Sequence, residues 1–224
     1  MARFTPAASA MKPLLNRFVF HGIQTCRGQL SSTAARVRFT SPRVMTLQAL
    51  TTAAPERVAP ELKAAGLVRV SRTADCEEWA HGSDLRLVLS SAASDQPESP
   101  NSVARDFAVL LTRTLALADD CAVRVSALVP QLALYWQAHD ASNSSVGESE
   151  WLEDVIELVV RRDTIVDEVG AAPQELSEII ANASARFVAS DSCRWVLRRA
   201  LPDAREVPGF VEHARDRFIR LAAL

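Results

Sequence analysis

Glu78-Trp79-Ala80-His81 sets a carboxylate and an imidazole three residues apart, the Glu-x-x-His spacing with which bundle helices present ligands to a di-iron pair. Such a centre needs two copies and two further inward carboxylates, and this sequence has one copy. Cys76 would join His81 on one helix face, but two ligands leave a zinc site half built. The four histidines, His21, His81, His139 and His213, stand far apart. There is no glycine-rich phosphate loop, no Gly-x-Ser-x-Gly and no Ser/His/Asp grouping at a familiar spacing. Asp119-Asp120 and Glu77-Glu78 read as solvated charge pairs. These residues predict a chain that is not an enzyme, with no metal and no cofactor.

The elements that would carry such residues begin after an unusual stretch. From Met1 to Pro55 there is no acidic residue, while Arg3, Lys12, Arg17, Arg27, Arg36, Arg38 and Arg43 are all basic. Those seven belong to a total of 25 Lys and Arg, so the rest of the chain sets 27 Asp and Glu against 18 basic residues. Arg-rich, Ser/Thr-rich, acid-poor N-termini are what mitochondrial import acts on. Lys12, Leu14, Leu15, Arg17, Phe18 and Val19 would form its short amphipathic helix. The reading is a targeting segment over residues 1–45, cleaved near Arg38 to Met45, and a matrix location. A basic arm for nucleic acid or anionic lipid is the alternative. No run of 18 apolar residues is present, so no membrane-spanning helix is expected. Cys26 would leave with the presequence, and Cys76, Cys121 and Cys193 read as buried or idle thiols of a reducing compartment.

Residues 46–224 then read as one helical domain. Leu47 to Leu67 looks like a helix-turn-helix interrupted by Pro55 and Pro60, with Gly66 as a C-terminal cap. Leu85 to Leu89 is a short apolar helix or strand after Gly82-Ser83-Asp84, and Ser90 to Asn101 is a loop. Ser102 opens a helix with Val103, Phe107, Leu110, Leu111 and Leu115 on one face. Val123 to Trp136 reads as a helix kinked at Pro130, followed by a loop over Ala141 to Glu148. Trp151 to Val169 is a further helix with a charged outer face. Pro173 opens one with Leu176, Ile179, Ile180, Ala183 and Phe187 inward, a short one runs from Trp195 to Leu201, and the last starts at about Gly209. Strict alternation is scarce, so the fold class predicted is all-α, with seven to nine helices.

Three segments carry a family resemblance. In AVRVSALVPQLALYW, Arg124, Pro130 and Trp136 stand in order. In SDSCRWVLRRA, reached from Pro173-x-x-Leu176-x-x-Ile179, Trp195 is followed by Arg198 and Arg199, with Val196 where a tyrosine is usual. Pro208-Gly209-Phe210 opens a helix bearing Arg215 and Arg220. More weakly, VAPELKAAGL and Gly82-Ser83-Asp84-Leu85 fit its N-terminal part. In this order the segments resemble a divergent member of the mitochondrial coenzyme Q (ubiquinone) biosynthesis accessory lipid-binding family, which has a TetR-like fold. Trp136 to Pro173 is longer than in that family, Arg199 to Pro208 is shorter, and its C-terminal amphipathic helix is not matched.

The resemblance implies a TetR-like multi-helix bundle, reasonable as a homodimer, that binds a polyprenyl quinone or other isoprenoid lipid. It would present this lipid to the di-iron hydroxylase of ubiquinone biosynthesis, with peripheral inner-membrane contact. Leu110, Leu111, Leu128, Leu132, Ile156, Val159, Ile180 and Phe187 are the candidate lipid-binding lining, each with plain core packing as its bland reading. Trp195, Arg198 and Arg199 are the candidate partner-binding patch, against an internal Trp with two solvated arginines. No nucleic acid is expected, since acidic residues offset the arginine pairs. The main alternative is a structural subunit of a respiratory complex or mitoribosome with no ligand, and an enzyme built on Glu78 and His81 is the third reading.

Overall fold

The computed structural model describes residues 18–21, 45–51, 55–73, 76–82, 85–91, 102–118, 121–142, 149–201 and 208–224. The chain divides into two compact units, Met1–Ala127 and Leu128–Leu224. The all-α, TetR-like expectation is corrected by the first of them. That unit is built on a mixed seven-stranded sheet in the order β3-β4-β5-β2-β1-β7-β6.

The strands are β1 (Val19–His21), β2 (Met45–Thr51), β3 (Val68–Arg72), β4 (Cys76–His81), β5 (Leu85–Ser91), β6 (Thr112–Ala118) and β7 (Cys121–Ser126). At the centre β1 runs antiparallel to β2, with Val19 opposite Leu50, and parallel to β7, with Val19 opposite Arg124. β2 runs parallel to β5 from Met45↔Leu85 to Thr51↔Ser91. Antiparallel pairs β4–β5, β3–β4 and β6–β7 complete the sheet.

The segment read as a removable targeting sequence therefore contributes a central strand. Phe18 is fully buried and Val19 nearly so, which gives this stretch a reason to be apolar besides import. Leu14 and Leu15 lie outside the described residues. The helical domain expected from residue 46 begins instead at Leu128.

Phe18, Ala49, Leu62, Leu67, Trp79, Leu85, Leu87, Leu89 and Val125 form one core. In β5, Leu85, Leu87 and Leu89 alternate inward as strand geometry requires. Among the described residues two helices belong to this unit, α1 (Pro55–Ala64) and α2 (Ser102–Leu110). The helix-turn-helix expected over Leu47 to Leu67 is thus strand β2 followed by α1. Gly66, with φ +81°, ends α1. Leu67 N–H donates to Leu62 O at 2.9 Å, a left-handed cap that satisfies a terminal carbonyl. A side chain at Gly66 would also meet the His81 ring, 3.3 Å from where its Cβ would lie.

The predicted helix at Ser102 forms, but it turns the other way. Ala104 and Ala108 are fully buried, whereas Val103, Leu110 and Leu111 are exposed. Leu115, expected on the same stripe, belongs to β6.

The second unit is helical: α3 (Leu128–Ala141), α4 (Glu150–Arg161), α5 (Ile165–Gly170), α6 (Gln174–Ala189), α7 (Cys193–Ala200) and α8 (Phe210–Ala222). The run read as one kinked helix from Val123 to Trp136 is strand β7 and then α3. Pro130 is the third residue of α3, where no backbone donor is needed. The stretch Trp151 to Val169 is likewise two helices. Ser149 caps the first, its Oγ accepting from Leu152 N–H at 3.4 Å. Leu132, Val155, Ile156, Val159, Leu176, Ile180, Leu197, Phe218 and Leu221 are buried as the core of this unit.

Candidate functional site

Helix α7 has two faces. Cys193, Val196 and Leu197 point inward, and Arg194, Trp195, Arg198 and Arg199 point out. Arg194 anchors α7 to α8 through Glu212, with Nε–Oε1 at 2.9 Å, and its guanidinium holds the Glu212 carboxyl below the ordinary range. The other three residues form a patch. Trp195 is 55% exposed, and the Arg199 guanidinium carbon stands 5.5 Å from its ring centroid. That distance is within cation–π range. Among the described residues no carboxylate pairs with Arg198 or Arg199. The three residues named from sequence as a partner-binding patch are thus adjacent and outward-facing.

Charge is distributed unevenly around them. Between Leu128 and Ile180 the sequence has eleven Asp and Glu against two Arg, and between Ala181 and Leu224 eight Arg against five Asp and Glu. Arg161 and Arg162 are neutralised by Glu157 and Glu168, at 3.4 and 2.7 Å. Among the described residues, Arg198 and Arg199 are therefore cationic groups of the unit's later half with no carboxylate partner.

The eight side chains named as lipid lining fall in two units. Leu110, 72% exposed, and Leu111 lie on the first unit's surface. Leu128, Leu132, Ile156, Val159, Ile180 and Phe187 are buried in the second unit. Phe187 packs edge-on against Phe218 with centroids 4.9 Å apart.

The Glu-x-x-His pair is separated by its secondary structure. Glu78 and His81 both belong to strand β4, where residues three apart point to opposite faces. The same parity separates Cys76 from His81. Among the described residues no group of three His, Cys, Asp or Glu is placed to hold a metal ion.

Glu77 departs most from its sequence reading as half of a solvated pair. It is 1% exposed. Its Oε1 accepts from Arg69 Nη1 at 3.1 Å and lies 3.5 Å from Arg72 Nε, while Oε2 accepts from Trp79 Nε1 at 3.0 Å. Arg69 also lies over the Trp79 ring. A strand reading of Glu77-Glu78-Trp79 would have found this network, because Glu77 and Trp79 then share a face. Glu78, on the other face, pairs with Arg86. Cys193 is buried, and burial raises its thiol pKa, so it stays protonated and unreactive.

No protein-family model matches the sequence, and neither does any curated protein. As a fold, the chain is similar to JHP933 from Helicobacter pylori. The TM-score is 0.50 at 10% identity, with 97% of this chain and 88% of that chain covered. A second H. pylori structure, described as a candidate nucleotidyltransferase, gives a TM-score of 0.45 at 9% identity over 97% of this chain and 89% of its own. At such identities the likeness to JHP933 is one of fold alone.

Proposed function

We propose that this chain is a non-catalytic binding protein whose helical unit docks on an acidic surface of a partner protein through Trp195, Arg198 and Arg199. The observation that carries this reading is the exposed Trp195 ring under Arg199. Leaving a tryptophan in water forgoes burial worth on the order of 3 kcal/mol, and exposed Trp and Arg are the residues most favoured as interface anchors. The arginines select for carboxylates. A compact acidic patch needs only local complementarity, whereas the net charge of -2 on the whole chain works against a long polyanion such as nucleic acid. The non-catalytic part is supported by the carboxylates of β4, which are held by arginines.

Lipid presentation to a di-iron hydroxylase, as the family resemblance implied, retains as support six apolar side chains in the helical core. Partner binding does not depend on it.

Titration of the intact chain with poly-L-glutamate, read by tryptophan fluorescence, tests the proposal. Saturable binding is expected. Trp195→Ala should weaken it by about 30-fold or more, the ~2 kcal/mol of an interface anchor, while melting stays within about 0.5 kcal/mol of wild type because the site is on the surface. Duplex DNA in place of the peptide serves as the competing polyanion, and tighter binding to it overturns the choice of an acidic protein. Turnover of a nucleoside triphosphate with Mg2+ overturns the non-catalytic reading.

A further inference from the structure

Helix α6 separates two ends of the helical unit that differ in charge. At its N-terminal end, α5 and the first turns of α6 carry Asp163, Asp167, Glu168, Glu175 and Glu178 against Arg162. At its C-terminal end, the turn into α7 and α7 itself carry Arg194, Arg198 and Arg199 against Asp191. From Glu175 to Ala189 the helix rises 1.5 Å per residue, about 21 Å in all. Helix α8 returns along it. Glu212, in the first turn of α8, is held by Arg194 at the α7 end. Leu224, just past the last turn, lies beside Gly170 of α5, its Cδ2 3.5 Å from where a Cβ on that glycine would stand.

Part of the charge at the acidic end is already paired, Glu168 with Arg162 and Asp163 with Arg217. Asp167, Glu175 and Glu178 are exposed. Among the described residues no basic side chain pairs with these three, and Glu178 accepts from the neutral Gln174 Nε2 at 2.7 Å. Arg220, exposed on the last turn of α8, sets one cation against them, so the end stays negative. Its centre is apolar, with Gly170 and Ala171 exposed and Leu224 53% exposed. The opposite end presents Trp195 with Arg198 and Arg199. A separation of about 21 Å exceeds the Debye length of about 8 Å at physiological ionic strength, so the two ends of one chain cannot satisfy each other.

We propose that the partner of the Trp195 patch is a second copy of this chain. This rests on the reading of that patch as a docking surface for an acidic protein. Two chains pair antiparallel about a two-fold axis, so that Trp195, Arg198 and Arg199 of each meet Asp167, Glu175 and Glu178 of the other. The spacing between the ends is the same in both copies, so both contacts close together. The Trp195 ring packs on the apolar centre formed by Gly170, Ala171 and Leu224, and the arginines face the carboxylates around it. An aromatic and arginine core is the composition that interfaces favour.

Sedimentation equilibrium of the intact chain tests the pairing. Twice the chain mass is expected at concentrations up to about 100 μM, with weaker association as salt is raised. Arg198→Glu with Arg199→Glu should be monomeric, and so should Asp167→Lys with Glu178→Lys. Mixed in equal amounts, the two variants should regain the dimer, because opposite charges then meet at both contacts. Trp195→Ala alters no charge and should raise the dissociation constant about a thousandfold, the ~30-fold loss of one such anchor taken at each of two contacts. If circular dichroism shows that a charge variant has not folded, Trp195→Ala decides alone, and an unchanged dissociation constant overturns the proposal. A single-chain mass at every concentration, a ladder of masses beyond the dimer, or folded charge variants that stay monomeric when mixed also overturns it. A monomer that still binds poly-L-glutamate through Trp195 would keep the docking surface and exclude the second copy as its partner, whereas a monomer that binds neither would remove both readings.

Discussion

At the scale of single residues, the side chains best placed for chemistry have been claimed by structure. Glu77 has both oxygens engaged, and the buried Trp79 indole depends on it. Glu77→Ala would leave that N–H without an acceptor and should cost about 2 kcal/mol in chemical denaturation. Glu77→Gln keeps an acceptor in place and should cost less, so equal losses for the two would contradict the assignment. His139 makes a prediction about pH. Its pKa is lowered chiefly by burial, with Arg186 acting in the same direction and Asp140 opposing both. Between its folded value and the unfolded 6.5 the unfolded chain binds more protons, so stability rises with pH across that window. The contribution is complete above 6.5 and is lost as pH falls through the folded value. Thermal melts from acid to neutral pH should show this rise, and His139→Gln should flatten it.

At the scale of elements, helix ends and strand parity govern where side chains go. The last carbonyls of α4 have no partner within the helix. Arg217, on α8, supplies one, with Nη1 donating to Val159 O at 3.0 Å and Val160 O at 2.7 Å while Nη2 pairs with Asp163. Cation and helix C-terminus also attract electrostatically. Arg217→Met keeps most of the stem and removes the donors, so we expect a loss of about 2 kcal/mol, read by urea unfolding. A loss of less than 0.5 kcal/mol, the ordinary surface range, would mean that water caps α4 equally well. The same element logic explains α2. Its larger apolar residues form a stripe by spacing, yet two alanines face the sheet unit's interior. Amphipathic spacing identified the helix but not the side that packs.

At the scale of the whole molecule, the chain is two units with separate cores. The helical one has its own set of buried Leu, Val, Ile and aromatic side chains, enough to predict that residues 128–224 fold alone. Circular dichroism of that fragment should give a helical spectrum and a single cooperative melt; a broad, non-cooperative transition would show that its core is incomplete. Much of this unit was legible from sequence. The 3.6-residue stripes of α6 and α8, the short helix at Trp195 and the break at Pro173 follow from spacing and from proline chemistry, which act over one or two turns. The outward patch of Trp195, Arg198 and Arg199 lay on that short helix, although only packing shows that its other side is the buried one. The first unit was not legible in the same way. β2, β3, β5, β6 and β7 are five to seven residues long and rich in Leu, Ala and Arg, residue types with weak or helical local preference. Leu85, Leu87 and Leu89 of β5 do alternate inward, but the strands become a sheet only through partners distant in the chain, as when Val19 lies beside Arg124. Sequence by itself determined α6, α7 and α8, the Gly66 cap and the break at Pro173, because local sterics and periodicity suffice for those. Tertiary structure alone decided that a basic, acid-free N-terminal stretch supplies a central strand, that Glu77 is buried, and that Glu78 and His81 face apart, because strand pairing and burial are properties of residues that meet only in the fold.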